Sequence, residues 1–276
     1  MSQPQILIGT AGSPGKSTLE GLGIVKKAGL EAMEVEFVRG VKMSIATAKE
    51  IAKENEKQGL SLSIHAPYYI NLASADKAKY VASIKRILDS CERGHHLGAR
   101  FIVFHAAYYG GKDLKSSNSG MGDEEIKERA FRMVEKAINE MQEIIEKKKW
   151  NVVLCPEIGG KKSQFGDVEE LKKLHKLTGC GTCFDFAHLL ARNVGHIDYK
   201  QTVKDFATFP EKLRTIHFSG IKYSDKGELS HLPIKTDETK AFLSELVKQK
   251  VNARIICEAP DPLGDALKMK KILANL

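Results

Sequence analysis

Residues 61–106, SLSIHAPYYINLASADKAKYVASIKRILDSCERGHHLGARFIVFHA, carry the pattern that decides the fold. A short run rich in β-branched residues (61–66) gives way to an amphipathic stretch (76–93) and then to a second apolar run (101–106). In the middle segment Val81, Ile84, Ile87 and Leu88 recur at three- to four-residue spacing, which predicts a helix with one apolar stripe. Ser74 or Asp76 is placed to cap its start. Strand, helix and strand in succession read as a βαβ unit, whose strands lie parallel and whose crossover is right-handed.

The same alternation extends in both directions. Strands are expected at 5–10, 32–38, 61–66, 101–106, 151–158, 181–187, 214–219 and 254–259. Helical patterns lie between them, as at 123–149, and Asp167 is a further candidate cap. Runs apolar almost throughout suit strands buried on both faces. Eight such strands, each followed by a helix, predict one (β/α)₈ TIM barrel over residues 1–276, a single domain of the size that such a barrel needs, about 250 residues. An open doubly wound sheet fits less well, because no Gly-x-Gly-x-x-Gly follows the first strand.

Composition narrows the class. With 42% hydrophobic and 28% charged residues, the chain has the balance of a soluble globular protein. No stretch approaches the roughly 20 apolar residues needed to span a bilayer. The opening MSQPQILIGT lacks the basic segment and apolar run of a signal peptide, so a cytoplasmic protein with no membrane partner is expected. The five cysteines, at 91, 155, 180, 183 and 257, read as reduced thiols, three of them inside strands. Cys180 and Cys183 form a lone Cys-x-x-Cys without a redox context. The net charge of +8 favours an anionic partner such as nucleic acid or a phosphorylated substrate, although lysines spread over many helices also solvate them.

The chemistry gathers at strand ends. His65 ends the third expected strand, His105 the fourth and Glu157 the fifth; Asp185 lies in the sixth, with His188 at its exit; His217 ends the seventh and Glu258 the eighth. Barrel enzymes place their sites at this C-terminal face. Converging carboxylates repel one another and resist burial unless a cation offsets them. A mixed imidazole and carboxylate set suits zinc first, with manganese or iron as alternatives. So many ligands exceed the need of one ion, so at least two metals are expected, with Glu157 as the bridging carboxylate. His95, His96, His175 and His196 fall on helices or outer loops and are assigned no function.

These residues resemble a known family. The segment His65-Ala66-Pro67-Tyr68-Tyr69-Ile70-Asn71-Leu72-Ala73, with Phe104-His105, Pro156-Glu157, Asp185-Phe186-Ala187-His188, His217, His231-Leu232-Pro233-Ile234 and Cys257-Glu258-Ala259-Pro260, is similar to endonuclease IV. That is the family of metal-dependent apurinic/apyrimidinic endonucleases within the xylose-isomerase-like barrels. The resemblance implies three zinc ions: one on His65, His105 and Glu157, a second on Glu157, Asp185, His217 and Glu258, a third involving His188 and His231. It implies that Arg39 and Tyr68, with Tyr69 beside them, enter the DNA at a lesion. The implied activity is cleavage of double-stranded DNA on the 5′ side of an abasic site by a monomer, with hydroxide bridging two or three zinc ions.

The chain departs from the family pattern around the third site. Leu229 stands where an Asp is usual, two residues before the His matching His231, and the adjacent Glu228 is a candidate replacement. His217-Phe218-Ser219-Gly220 replaces a His-x-Asn-Asp, and Lys235-Thr236-Asp237 a Gly-Glu-Gly. The alternative is a divalent-metal-dependent sugar isomerase or epimerase, because Glu157, Asp185, His217 and Glu258 match that metal set too. The pairs His65/His105 and His188/His231, and the basic charge, weigh for the nuclease. A non-catalytic DNA-binding relative is a third reading, and it predicts lesion binding without turnover.

Overall fold

The computed structural model describes residues 3–110 and 122–276. Eight parallel strands form the sheet: β1 (Ile6–Ala11), β2 (Ala32–Glu36), β3 (Ser61–His65), β4 (Phe101–Phe104), β5 (Val153–Pro156), β6 (Thr182–Asp185), β7 (Arg214–Phe218) and β10 (Ala253–Cys257). They pair in the order β5-β4-β3-β2-β1-β10-β7-β6. Between β5 and β6 the circuit closes through one parallel bridge, Glu157 to Cys183, with the Ile158 N–H donating to the Cys183 carbonyl at 3.1 Å. This is the (β/α)₈ barrel that the alternation predicts.

Around it lie α1 (Thr18–Lys27), α2 (Ile45–Gln58), α3 (Lys77–Leu97), α4 (Asp123–Lys148), α5 (Val168–Thr178), α6 (Phe186–Arg192), α7 (Tyr199–Ala207), α8 (Thr236–Lys248) and α9 (Pro262–Leu273). Asp76, not Ser74, caps α3, accepting from the backbone N–H groups of Ala78 and Lys79. Asp167 caps α5 in a reciprocal capping box with Glu170. The apolar stripe of α3 is displaced from its expected line. Val81 is 54% exposed, and the face that packs inward carries Ser83, Ile87, Ser90, Cys91, Gly94 and Leu97. Small residues let this helix approach the sheet closely: a Cβ on Gly94 would lie 2.6 Å from Ile102.

Several strands are shorter than the apolar runs that announce them. β4 stops at Phe104 and β5 at Pro156, so His105 and Glu157 lie one residue beyond their ladders; β6 stops at Asp185, where α6 begins. A hairpin of β8 (Gly220–Ser224) and β9 (Gly227–Leu232) follows β7, where the sequence pattern suggests only a loop. Its strands are mostly exposed and polar, so no apolar run marks them.

Successive side chains of a strand point to opposite faces, and here the two faces differ in kind. The outward set, including Ile8, Met33, Val35, Leu62, Ile64, Ile102, Phe104, Leu154, Phe184, Ile216 and Ile255, joins the helices in the main apolar core. The inward set supplies a small separate cluster of Phe101, Val103, Cys155 and Cys183. Much of the remaining interior is polar: Glu34, Ser63, Thr215, His217 and Arg254 are all buried. The strands are buried on both faces, as expected, but the outward face is the more uniformly apolar of the two. At about 1.5–3 kcal/mol for each large apolar side chain fully buried, stability resides in the strand–helix annulus. All five cysteines are buried free thiols. Among the described residues no helix is long and apolar enough to cross a membrane.

Candidate metal centre

The inward alternation explains why the singled-out residues meet. His65, Asp185 and His217 continue the inward phase of their strands, and His105, Glu157 and Glu258 extend that phase one residue past theirs. Asp185 and His217 are direct partners in the β6–β7 ladder. Glu157, fully buried, is the hub. Its Oε2 lies 3.3 Å from His65 Nε2 and 3.3 Å from His105 Nδ1, while its Oε1 lies 2.8 Å from His217 Nδ1. Glu258 Oε1 approaches the same His217 Nδ1 at 3.1 Å. Asp185 is held by the helix it starts: Oδ1 accepts from the His188 backbone N–H at 2.6 Å, and Oδ2, without a hydrogen bond, lies 3.3 Å from His188 Nδ1.

His188, on α6, meets the hairpin. Its Nε2 lies 3.5 Å from Glu228 Oε2, and its ring centroid is 5.4 Å from that of His231. His231 thus sits on β9 rather than in a loop, with Ser219 Oγ 2.7 Å from its Nδ1. In a regular strand, residues three apart face opposite sides, yet Glu228 and His231 both face the mouth. The pairing register explains this: Lys222 pairs with Ser230 and Tyr223 with Glu228, so Leu229 is the extra residue of a β-bulge. Leu229 is turned out and 56% exposed. It reads as an inserted residue, not as a lost ligand. Two glycines let the hairpin sit close. The Glu228 N–H donates to the Gly160 carbonyl at 2.9 Å, and a Cβ on Gly160 would lie 2.6 Å from Glu228 Oε2. Gly227, at φ +105°, supplies the backbone conformation that L side chains rarely adopt.

The donor set fits divalent cations. In each of the groups His65–His105–Glu157, Glu157–Asp185–His217–Glu258 and His188–Glu228–His231, ligand atoms lie within 4.8 Å of one another. Buried polar atoms are normally hydrogen-bonded, but His105 Nδ1 and Asp185 Oδ2 have no such partner. An unbonded imidazole nitrogen and an unbonded carboxylate oxygen in one buried cluster are what a cation would satisfy. The electrostatics agree. Burial pushes the Glu157 carboxyl up, but His105 and His217 pull harder and hold it well below the usual carboxylate range. Burial pushes His105 down to about 4, against the pull of Glu157, so its imidazole is neutral at pH 7. Asp185 is pushed up to about 7 by burial, only partly countered by His188. His65 and His188 rise to about 10 and about 9: burial lowers both, and the neighbouring carboxylates, Glu157 for His65 and Asp185 for His188, outweigh it.

Tyr68 and Tyr69 stand exposed at the rim, with the Tyr68 ring 6.1 Å from that of His65. Arg39 is exposed in the turn after β2, and the Tyr68 N–H donates to the Val38 carbonyl at 3.2 Å, which ties that turn to the Tyr68 loop. Of the histidines left unassigned, His95 and His96 end α3, His175 lies on α5 and His196 follows α6. Sequence reading missed Glu34 and Glu36 on β2. Both face the barrel interior, Glu36 in register with His65, and burial pushes the Glu36 carboxyl up to about 8 against the pull of His65. Their signal was the alternation Met33-Glu34-Val35-Glu36 inside an apolar run.

The xylose isomerase-like TIM barrel family model matches residues 22–275. The chain belongs to that family. An uncharacterised protein of Methanocaldococcus jannaschii is 33% identical over 283 residues, 98% of each chain. A Mycobacterium leprae protein named "Probable endonuclease 4" is 22% identical over 249 residues, covering 89% of this chain and 91% of its own. Two solved structures share the fold. One is the 3-keto-D-glucoside 4-epimerase of E. coli, with TM-score 0.71 and 16% identity over 99% of this chain and 100% of that one. The other is endonuclease IV of Thermus thermophilus, with TM-score 0.69 and 19% identity over the same shares. At such identities the family member and these enzymes share a fold, and the site must speak for the activity.

Proposed function

We propose that this chain is a metal-dependent endonuclease that cuts double-stranded DNA on the 5′ side of an abasic site, with two or three zinc ions as cofactor and manganese as the alternative. The observation that carries the reading is the third cluster, His188–Glu228–His231, beside the first two. The set Glu157, Asp185, His217 and Glu258 suits an epimerase as well; the His65/His105 pair and the third cluster are additional donors beyond that one-metal set.

In this reading His65, His105 and Glu157 hold one ion, Glu157, Asp185, His217 and Glu258 a second, and His188, Glu228 and His231 a third. When bound, such ions would supply Lewis acidity at the phosphate and a water of near-neutral pKa. Glu157 would be shared by the first two sites, since its Oε2 faces His65 and His105 and its Oε1 faces His217. In this reading the exposed rings of Tyr68 and Tyr69 and the exposed Arg39 would meet the gap left by a missing base, which aromatic faces fill at low conformational cost. The +8 charge gives sequence-independent attraction to the phosphate backbone. A monomer acting in the cytoplasm is the accompanying proposal.

The test is incubation of the zinc-loaded chain with a duplex carrying one synthetic abasic site. Incision 5′ to the lesion is expected, lost in Glu157→Gln and on chelation, and reduced at least roughly tenfold in Glu228→Ala. A second reading, a manganese-dependent epimerase, is favoured by one observation: the barrel superposes on the E. coli epimerase as well as on the nuclease. Absence of incision with either metal, together with turnover of a keto-sugar by the manganese form, would replace the nuclease by the epimerase.

A further inference from the structure

Beneath the candidate ligands a chain of polar groups runs through the barrel interior. Arg254, 5% exposed, donates through Nη2 to Ser63 Oγ at 2.8 Å and through Nη1 to Thr215 Oγ1 at 3.1 Å. Its Nε donates to Ser61 Oγ at 3.0 Å, so the guanidinium is fixed. Ser63 in turn donates its only proton to Glu34 Oε2. That leaves Glu34 Oε1, and it lies 2.9 Å from His217 Nε2. Glu34, Ser63 and His217 are all fully buried.

We propose that Glu34 is a positioning residue that orients the His217 imidazole, holding its Nε2–H so that Nδ1 is presented to the Glu157–Asp185–Glu258 side. The inference rests on the metal-binding reading of the site and deepens it. The acceptor inventory carries it. Arg254, one hydroxyl away, favours Glu34 as a carboxylate, and a carboxylate is an acceptor at both oxygens. One oxygen is satisfied by Ser63. The other faces His217 Nε2, and both of these atoms lack a hydrogen bond in the present orientation of the ring. At 2.9 Å apart, the two atoms need only angular alignment of the ring to satisfy each other. Once Nε2 carries the proton, the Nδ1 lone pair is available to a cation shared with Glu157 and Glu258, whose oxygens lie 2.8 and 3.1 Å from it. An outer carboxylate that fixes the tautomer of a ligating imidazole raises its basicity and its affinity for a cation. Arg254 compensates the added charge, which is why a further buried carboxylate is tolerated there.

The experiment measures zinc stoichiometry and affinity of the full chain, with zinc alone as the probe, alongside the imidazole N–H proton spectrum of the zinc-loaded protein. In Glu34→Ala, one zinc ion is expected to bind 10–100-fold more weakly while the others are unchanged, and the protected His217 Nε2–H signal is expected to vanish. Glu34→Gln keeps an acceptor and loses the charge; it should restore that signal and recover only part of the affinity. The unchanged sites report that a variant is folded, and Ser63→Ala, which frees the carboxylate to turn, serves if Glu34→Ala does not fold. Equal zinc affinity and an unaltered signal in the variants overturn the positioning role alone. A wild-type chain with no zinc affinity overturns the metal reading as well.

Discussion

Glu157 stands where the rings of His65, His105 and His217 converge, and under the proposed reading metal uptake at this hub is coupled to protons. A ligand must shed its proton to bind a cation. His65 and His188 hold theirs to about 10 and about 9, and Asp185 to about 7. At pH 6 all three are protonated in the metal-free chain; at pH 8 Asp185 has lost its proton. Zinc binding should therefore release protons, in a number that falls by about one between pH 6 and pH 8, and its apparent affinity should rise over that range. Calorimetry in two buffers of different ionisation enthalpy reads the number directly; zero release, or release that grows with pH, contradicts the assignment. At this scale the sequence was informative wherever a polar residue interrupts an apolar strand at its end, as at His65 or Glu258. Glu34 breaks its strand in the middle, and only the barrel's closure brings it opposite His217, so no local pattern could assign it a neighbour.

The hairpin of β8 and β9 is the element whose function depends on register. Its turn, Ser224-Asp225-Lys226-Gly227, is visible in the sequence, but its strands bury little besides Ile221, which packs on Ala187 and Ala191 of α6. Periodicity therefore gave no strand there, and Leu229 looked like a substituted ligand. The bulge shows that it is one residue too many. Deleting Leu229 should leave Glu228 and His231 two apart on one face of a regular strand, and the third zinc should be retained. Leu229→Asp, by contrast, should not restore the zinc lost in Glu228→Ala, because position 229 is turned to solvent. Elemental analysis of the purified variants distinguishes these cases, and rescue by Leu229→Asp would refute the register argument. The short α6 is similar: Asp185 both ends a strand and caps a helix, so the expected strand over 181–187 ran past its true end.

For the whole molecule, the relevant fact is that carboxylates and imidazoles fill the upper barrel while the apolar mass lies around it. Bound cations offset those charges in the folded state only, so zinc at about a thousandfold over its dissociation constant should add on the order of 4 kcal/mol. For a chain of this size that corresponds to a rise in Tm of about 10 °C. Thermal unfolding with zinc and with a chelator measures it, and identical curves would speak against resident metals. The alternation of strands and helices, and hence the barrel, was legible throughout; the thin closure between β5 and β6 was not, since no strand records its spatial neighbour. Each strand spells two interleaved messages, one read by the helices and the other by whatever enters the mouth. Most of the apolar burial belongs to the outer message, so change at the mouth-facing positions disturbs the frame less, and one frame can carry more than one catalytic repertoire. The Leu229 bulge extends that tolerance to insertions, and descent can lengthen such a motif without silencing it.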